Sequence, residues 1–314
     1  MKILFLQTVH TKDDDRVRYH QRMSLERAGH TCDFASRIDN RSVAGVDVVI
    51  CDTPRAVYYA RRGFGQRASI VYDITEWYPS KKNLRYTSAW LRPFKFCTLV
   101  IANLWAGIAA DRFLFGEFYK AKPFRLLFPW KRHLYLPYYP SLQYLPFTAP
   151  SAFTDEVRLF YAGPQTQEKG YRRVEQLADL CRSLLPDKTI RLTCLKGVPY
   201  EQFCSELSRQ DICLDLRDAD FENTRCLPIK LFYYMASGKA FLYSRLKAIE
   251  QGIPEVKEWL VEPDDLSRAA SIIAEWVSHP ERYQAVCARN RQLAEERYNW
   301  ERLEKAFVEF IEQA

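Results

Sequence analysis

Glycine is scarce in this chain, with 11 among 314 residues. That scarcity excludes flexible low-complexity linkers. The loop after the first apolar run, HTKDDDR at residues 10–16, has no glycine, so it is not a phosphate-cradling loop of the glycine-rich kind. Paired cysteines are also missing. Nine cysteines are scattered, odd in number and without a CxxC pair, which argues against a zinc site and a disulfide framework. Reduced thiols point to the cytoplasm. The opening run KILFLQ is too short for a secretory signal. The best candidate for a membrane span, residues 96–110, contains Asn103 and falls short of the ~20 residues a span needs. It reads as a buried helix.

What is present is the balance of an ordinary globular protein, 47% hydrophobic and 27% charged residues. The length suits two domains, each large enough for its own core. The formal net charge of +7 suggests an anionic partner without choosing among nucleotide, membrane and nucleic acid. Short β-branched runs alternate with helical stretches. Residues 2–7, 31–35, 46–51 and 68–72 read as strands, and 16–28 as a helix closed by Gly29. The stretch LPYYPSLQYLPFTAP has four prolines and no period, as a linker would. Beyond it, strands at 157–162, 190–195, 212–216 and 240–244 alternate with helices at 171–185, 200–208 and 228–237, and the last third is helical. This alternation predicts parallel α/β sheets, with a first domain over residues 1–147 and a second over 148–314. Ligands of open parallel sheets sit at the carboxyl ends of strands, so the loops after strands are the candidate sites.

Four loops qualify. In the first, the aspartates either cap the helix starting at Arg16 or, with His10, Asp14 and Arg16, hold sugar or acceptor hydroxyls. Three carboxylates there would repel a diphosphate. In the second, DITEWYP, Asp73 and Glu76 stand among aromatics, which suits carbohydrate; the other reading is a turn with a capped helix. The third, GPQTQEKG at 163–170, ends in Lys169 where a helix begins, an arrangement suited to an anion. The fourth, RDADFENTRCLPIK at 217–230, combines acids with Arg225 and Lys230 ahead of a helix start near Pro228. Its Asp218-Ala219-Asp220 is a DxD pattern, which chance supplies about once in such a length, and carries no metal assignment.

The stretch DICLDLRDADFENTRCLPIKLFYYMASGKAFLYS is similar to the signature of GT-B glycosyltransferases, close to retaining family 4 (glycosyl transferases group 1). The family pattern is a strand opening Asp-Ile, a variable loop, then P-x-K-L-F-E-Y-M-A-x-G-K-P-V-I-x-S. Pro228, Lys230, Leu231, Phe232, Tyr234, Met235, Ala236, Gly238, Lys239 and Ser244 fall in register. FYAGPQTQEKG resembles the family's strand and loop with a terminal Lys-Gly. Asp14-x-Arg16 with Leu25, Gly29 and His30 resembles D-x-R…L…G-H, and VYDITEWYP resembles V-Y-D-x-H-E-x-Y-P. The closing YNWERLEKAFVEFI resembles the helix that returns to the first domain.

The resemblance implies an α/β GT-B fold: two Rossmann-like domains with parallel sheets facing a central cleft, and a final helix, about 296–314, packed back on the first domain. It implies a retaining, metal-independent transfer of a hexosyl-type sugar from a UDP- or GDP-linked nucleotide-sugar, with no cofactor, to a glycan or lipid-linked acceptor in bacterial surface polysaccharide synthesis. Donor-binding residues carried over are Gly163, Lys169, Gly170, Glu222, Arg225, Pro228, Lys230 and Tyr233. The acceptor side takes His10, Asp14, Arg16, Asp73, Thr75 and Glu76. Lys169, Lys230 and Glu76 are the catalytic candidates, the two lysines stabilising charge on the leaving phosphate.

Departures from the pattern support a second reading, a catalytically silent GT-B protein that binds a sugar nucleotide or a partner transferase. Tyr233 stands where the family has a ribose-binding Glu. Its partner acid falls on Arg225, with Glu222 nearby; Arg225 is also the candidate to replace the loop arginine that is Pro164 here, and the loop histidine is Thr75. Lys81, Lys82, Arg85, Arg92 and Lys95 are interleaved with Tyr86, Trp90, Leu91, Phe94 and Phe96, and a second basic-aromatic run starts at Phe118. These suit either peripheral contact with an anionic membrane at the inner face of the cell membrane or a solvated face with its aromatics turned inward. The second-domain signature gives nucleic acid no support.

Overall fold

The computed structural model describes residues 1–8, 14–38, 45–147, 149–150 and 152–314, apart from the side chain of Lys82. The chain forms two compact units, one of Met1–Tyr138 with Leu303–Ala314 and one of Tyr139–Arg302.

The first unit is built on a sheet of β1 (Lys2–Leu6), β2 (Thr31–Ala35), β3 (Val48–Cys51), β4 (Ser69–Ile74), β5 (Arg112–Phe115) and β6 (His133–Tyr135). The order is β2-β1-β3-β4-β5-β6 and every pairing is parallel. Ile3 pairs with Cys32 on one side and Val48 on the other. The unbroken apolar runs of β1 and β3 fit central parallel strands covered on both faces. A π-helical turn over Arg16–Arg22 runs into α1 (Met23–Arg27). Next comes α2 (Pro54–Phe64), which starts where the Thr53 hydroxyl accepts from the Ala56 amide at 3.0 Å and ends at Gly65. Then follow α3 (Lys81–Leu84), α4 (Arg92–Ala109) and α5 (Phe118–Leu127).

The segment expected to be a buried helix lies in α4, and the structure corrects that expectation. Within α4 the buried residues are Asn103, Ala106 and Gly107, and residues 92–98 are all exposed. Composition alone does not tell a helix that faces the core from one that faces something outside the chain. No helix among the described residues is long and apolar enough to cross a membrane.

The second unit carries β7 (Glu156–Ala162), β8 (Thr189–Leu195), β9 (Ile212–Asp215), β10 (Ala240–Ser244) and β11 (Leu260–Val261), again all parallel, in the order β11-β10-β9-β7-β8. Its helices are α6 (Tyr171–Leu184), α7 (Tyr200–Ser208), α8 (Ile229–Ala236), α9 (Lys247–Gly252), α10 (Leu266–Ser278) and α11 (Pro280–Glu296). Strands β7 to β10 lie where the apolar runs predict them. Helix α8 has buried residues on every side, as an apolar helix inside a unit must.

The last helix, α12 (Glu301–Glu312), returns to the first unit, as the resemblance implies. Arg27 pairs with Glu304 at 2.6 Å, His30 meets Glu312 at 3.0 Å, and the Arg112 guanidinium donates to the Phe310 carbonyl at 3.1 Å.

Gly170 shows how tightly the third loop is packed against β9. Its φ is 74°, and a Cβ there would overlap the Leu216 carbonyl. Gly170→Ala therefore combines left-handed strain with a backbone clash. The expected cost is about 1–3 kcal/mol, read as a fall of several degrees in Tm.

Candidate functional site

At the carboxyl ends of β7 and β9, the sequence-predicted residues Gly163, Lys169, Gly170, Pro228 and Lys230 come together. Pro228 precedes the first turn of α8 and aims that helix's free amides at the same corner. The Lys230 ammonium donates to the Ala162 carbonyl and lies 3.8 Å from Asp215. Gly163, at φ 150°, leaves room for it, since a Cβ would stand 2.5 Å from Nζ. Lys169 Nζ donates to Asn223 Oδ1 at 3.3 Å, and the Tyr161 hydroxyl donates to the Lys169 carbonyl at 3.2 Å.

Asp215 organises this corner. Arg217 grips its carboxylate with two nitrogens, at 2.8 and 2.5 Å, and the Tyr243 hydroxyl donates to it at 2.8 Å. Burial works against the carboxylate charge, but Arg217, Lys230 and the hydrogen bonds outweigh it, holding Asp215 below the usual carboxylate range. The Lys230 ammonium is pushed down, first by burial and then by the charges of Arg217 and Lys169, with Asp215 opposing. Arg217 and Lys230 thus share one buried carboxylate, with the Lys169 charge acting on Lys230 from the neighbouring loop, an arrangement short of negative charge and suited to an anion.

The remaining predicted donor residues lie differently. Arg225 folds back on its own loop, donating to the Phe221 carbonyl at 3.0 Å with its guanidinium over the Phe221 ring. The arginine beside Lys230 is Arg217, not Arg225. Glu222 is half-buried in the turn that Asp220 ties together through the amides of Glu222 and Asn223, at 2.9 and 2.7 Å. Asp218 pairs with Arg173 at 2.6 Å, so both acids of the DxD pattern hold protein donors. Among the described residues, no three His, Cys, Asp or Glu side chains are grouped to hold a metal. Tyr233 is buried between the rings of Tyr200 and Phe203. Asp215 and Arg217 escaped the sequence reading. Their signal was a charged pair two residues apart, hence on one face, at the end of an otherwise apolar strand.

In the first unit, the acceptor-side candidates divide. His10 lies outside the described residues. Arg16 and Asp73, expected to meet hydroxyls, are both buried and paired at 2.5 Å. The Arg16 guanidinium also stacks on Tyr138, 4.4 Å from the ring centre, and Gln21 donates to Asp73 at 3.0 Å. A cation in the core needs such a partner, which is why the pair turns inward. Asp14 caps the π-helical turn through the Val17 amide at 3.4 Å. Thr75 accepts at its carbonyl from Lys120 at 2.6 Å, and Glu76 is half-buried beside it. His20 sits in the same core, its pKa pushed down to about 3, first by burial and then by the Arg16 charge.

Two parallel α/β sheets, the second bearing a cationic corner at its strand ends, define a GT-B protein. A family model described as glycosyl transferase-like matches residues 150–309, and the chain belongs to that family. Among solved structures, sucrose-phosphate synthase from Thermosynechococcus elongatus is 13% identical, with a TM-score of 0.68 over 100% of this chain and 99% of that one. Anabaena Alr3699/HepE, solved in complex with UDP-glucose, is 13% identical with a TM-score of 0.66, both chains being covered at 100%. S. aureus TarM, solved with UDP, is 12% identical with a TM-score of 0.57 over 84% of this chain and 55% of that one. At these identities the likeness shows the fold. No curated protein matches the chain significantly.

Two stability effects follow from the buried charges. Asp215→Ala strands Arg217 and Lys230 without their carboxylate and is expected to cost about 3–5 kcal/mol, read as a lowered unfolding midpoint. His20 stays neutral in the folded unit well below pH 6.5, whereas the unfolded chain takes up a proton there. Its contribution is therefore full above pH 6.5 and fades, at about 1.4 kcal/mol per pH unit, as pH falls from there towards 3. His20→Gln should flatten that part of the stability–pH curve; an unchanged slope would contradict the assignment.

Proposed function

We propose that this protein transfers a hexosyl-type sugar from a nucleotide-sugar donor, held on the second unit, to a glycan or lipid-linked acceptor taken up by the first. The observation carrying this reading is the corner of Lys230, Lys169 and Arg217 around Gly163 and the start of α8. A nucleoside diphosphate is the ligand whose charge such a corner complements. Lys169 and Lys230 are assigned to the diphosphate and Arg217 to the electrostatics behind them. The bond from the anomeric carbon to the diphosphate oxygen breaks, the acceptor oxygen bonds to that carbon on the same face, and the acceptor proton passes to the departing phosphate. Negative charge accumulates on that phosphate, where fixed cations and helix amides act most strongly. No protein nucleophile or metal is required by this scheme. The UDP-bound relatives HepE and TarM favour a uridine nucleotide. The acceptor class, a cytoplasmic site of action and a place in surface-polysaccharide assembly rest on the family resemblance.

A second reading, binding without turnover, is favoured by Tyr233. It packs among aromatics where the family places a ribose-binding carboxylate. The two readings separate in one experiment. Thermal shift with UDP, GDP, CDP and their sugars should show stabilisation by one nucleotide, lost in Lys230→Ala. Turnover of that sugar nucleotide should fall about 10²–10³-fold in the same variant. Binding with no transfer to any glycan or lipid acceptor would select the silent reading, and no nucleotide binding at all would end both.

A further inference from the structure

Residues 77–138 hold eleven Lys and Arg against two carboxylates, Asp111 and Glu117. Both acids already have basic partners: Asp111 pairs with Arg61 at 2.9 Å and Glu117 with Lys120 at 3.0 Å. This positive region of the first unit also carries its largest exposed apolar side chains. In α4, Phe94, Ile101 and Ile108 are 69, 65 and 67% exposed. Spaced by seven, they form one line on the side of the helix opposite Asn103, Ala106 and Gly107. Trp90, just ahead of the helix, is 73% exposed. Residues 92–98 are exposed all round, although a helix in water draws most of its stability from packing. Among the described residues, nothing therefore covers the first turns of α4.

A second segment is fastened beside this helix. Gly107 leaves room for the Phe128 ring, with which a Cβ would collide. Lys131 donates to the carbonyls of Gly107 and Ile108, at 2.8 and 2.6 Å, and to that of Ala110, capping the end of α4. Those contacts fix Trp130, 72% exposed, and the exposed Leu126 and Leu127 alongside Ile108. Basic side chains border both segments, with exposed Arg85, Arg92 and Lys95 on one and Lys122, Arg125 and Arg132 on the other.

We infer that α4 and the Leu126–Trp130 turn are a docking surface for an anionic lipid bilayer. The helix lies in the headgroup boundary, and the basic rim meets lipid phosphates. Trp and Phe flanked by Lys and Arg match that boundary chemically. A second copy of the chain fits less well, because the same basic rim would face itself. The inference deepens the sugar-transfer reading, on which it rests for its biological sense, by giving a lipid-linked acceptor a surface on which to be met.

The test is sedimentation of the full chain with phosphatidylglycerol–phosphatidylcholine vesicles and with pure phosphatidylcholine vesicles, at low and high salt. Wild type should pellet with the anionic vesicles and be released by salt. Arg92→Gln with Lys95→Gln should weaken partitioning roughly 30-fold, about fivefold per charge. Trp90→Ser with Phe94→Ser should weaken it independently. Both pairs sit on exposed turns, and retained nucleotide thermal shift shows that the variants are folded. Wild type left in the supernatant at low salt, or both variants binding like wild type, would overturn the docking surface. So would a dimer in ultracentrifugation that Trp90→Ser with Phe94→Ser disperses. Nucleotide binding retained in any of these cases leaves the transfer reading intact. Vesicle binding without nucleotide binding fails the transfer reading alone.

Discussion

The carboxylate of Asp215 meets Arg217, Tyr243 and Lys230 at the end of β9 with almost no water around it. Arg217, the deeper of the two cations, could not lie there alone, since the desolvation of an unpaired charge outweighs most packing gains. The carboxylate allows them to stay, yet one negative charge does not neutralise Lys169 as well. The corner is thereby both stable and short of anionic charge. Gly163 and Gly170 serve the same end, since each permits a close approach that a side chain would block. The strand ends, the loop after β7 and the start of α8 are joined around this imbalance.

The first unit solves the burial of charge in the opposite way. Arg16 and Asp73 pair in the core beside Gln21 and Tyr138, one cation against one carboxylate, while Arg16 Nε and Asp73 Oδ1 keep no hydrogen-bond partner. That pair fixes the π-helical turn to the end of β4, a structural task that the residues' motif spacing does not distinguish from a ligand-binding one. Acidic and basic residues near strand ends are thus arranged differently in the two units, one cation to one carboxylate in the first and two cations to one in the second.

Much of the architecture was legible because central parallel strands are short unbroken apolar runs. β10 lies at the expected residues, and α7 does too. β5 and β6 were not recognised, because four- and three-residue strands in a basic, aromatic stretch have no distinguishing period. Of the cationic corner, the residues tied to a fixed motif are legible in the sequence. Asp215 and Arg217 are not, because their importance comes from the partner each makes possible, not from a pattern. The orientation of α4 was misread because apolar content reports an affinity for something non-aqueous without saying whether that is the core.

The ring stack around Tyr233 has a consequence for which substitutions this chain tolerates. Tyr200, Phe203 and Tyr233 fill one volume contributed by two helices. Replacing Tyr233 by glutamate would place a carboxylate against two aromatic rings, so the three positions are expected to change as a set. The stack thereby ties α7 to α8 through one shared aromatic volume, so that a change of size or charge at any of the three rings is felt on both helices.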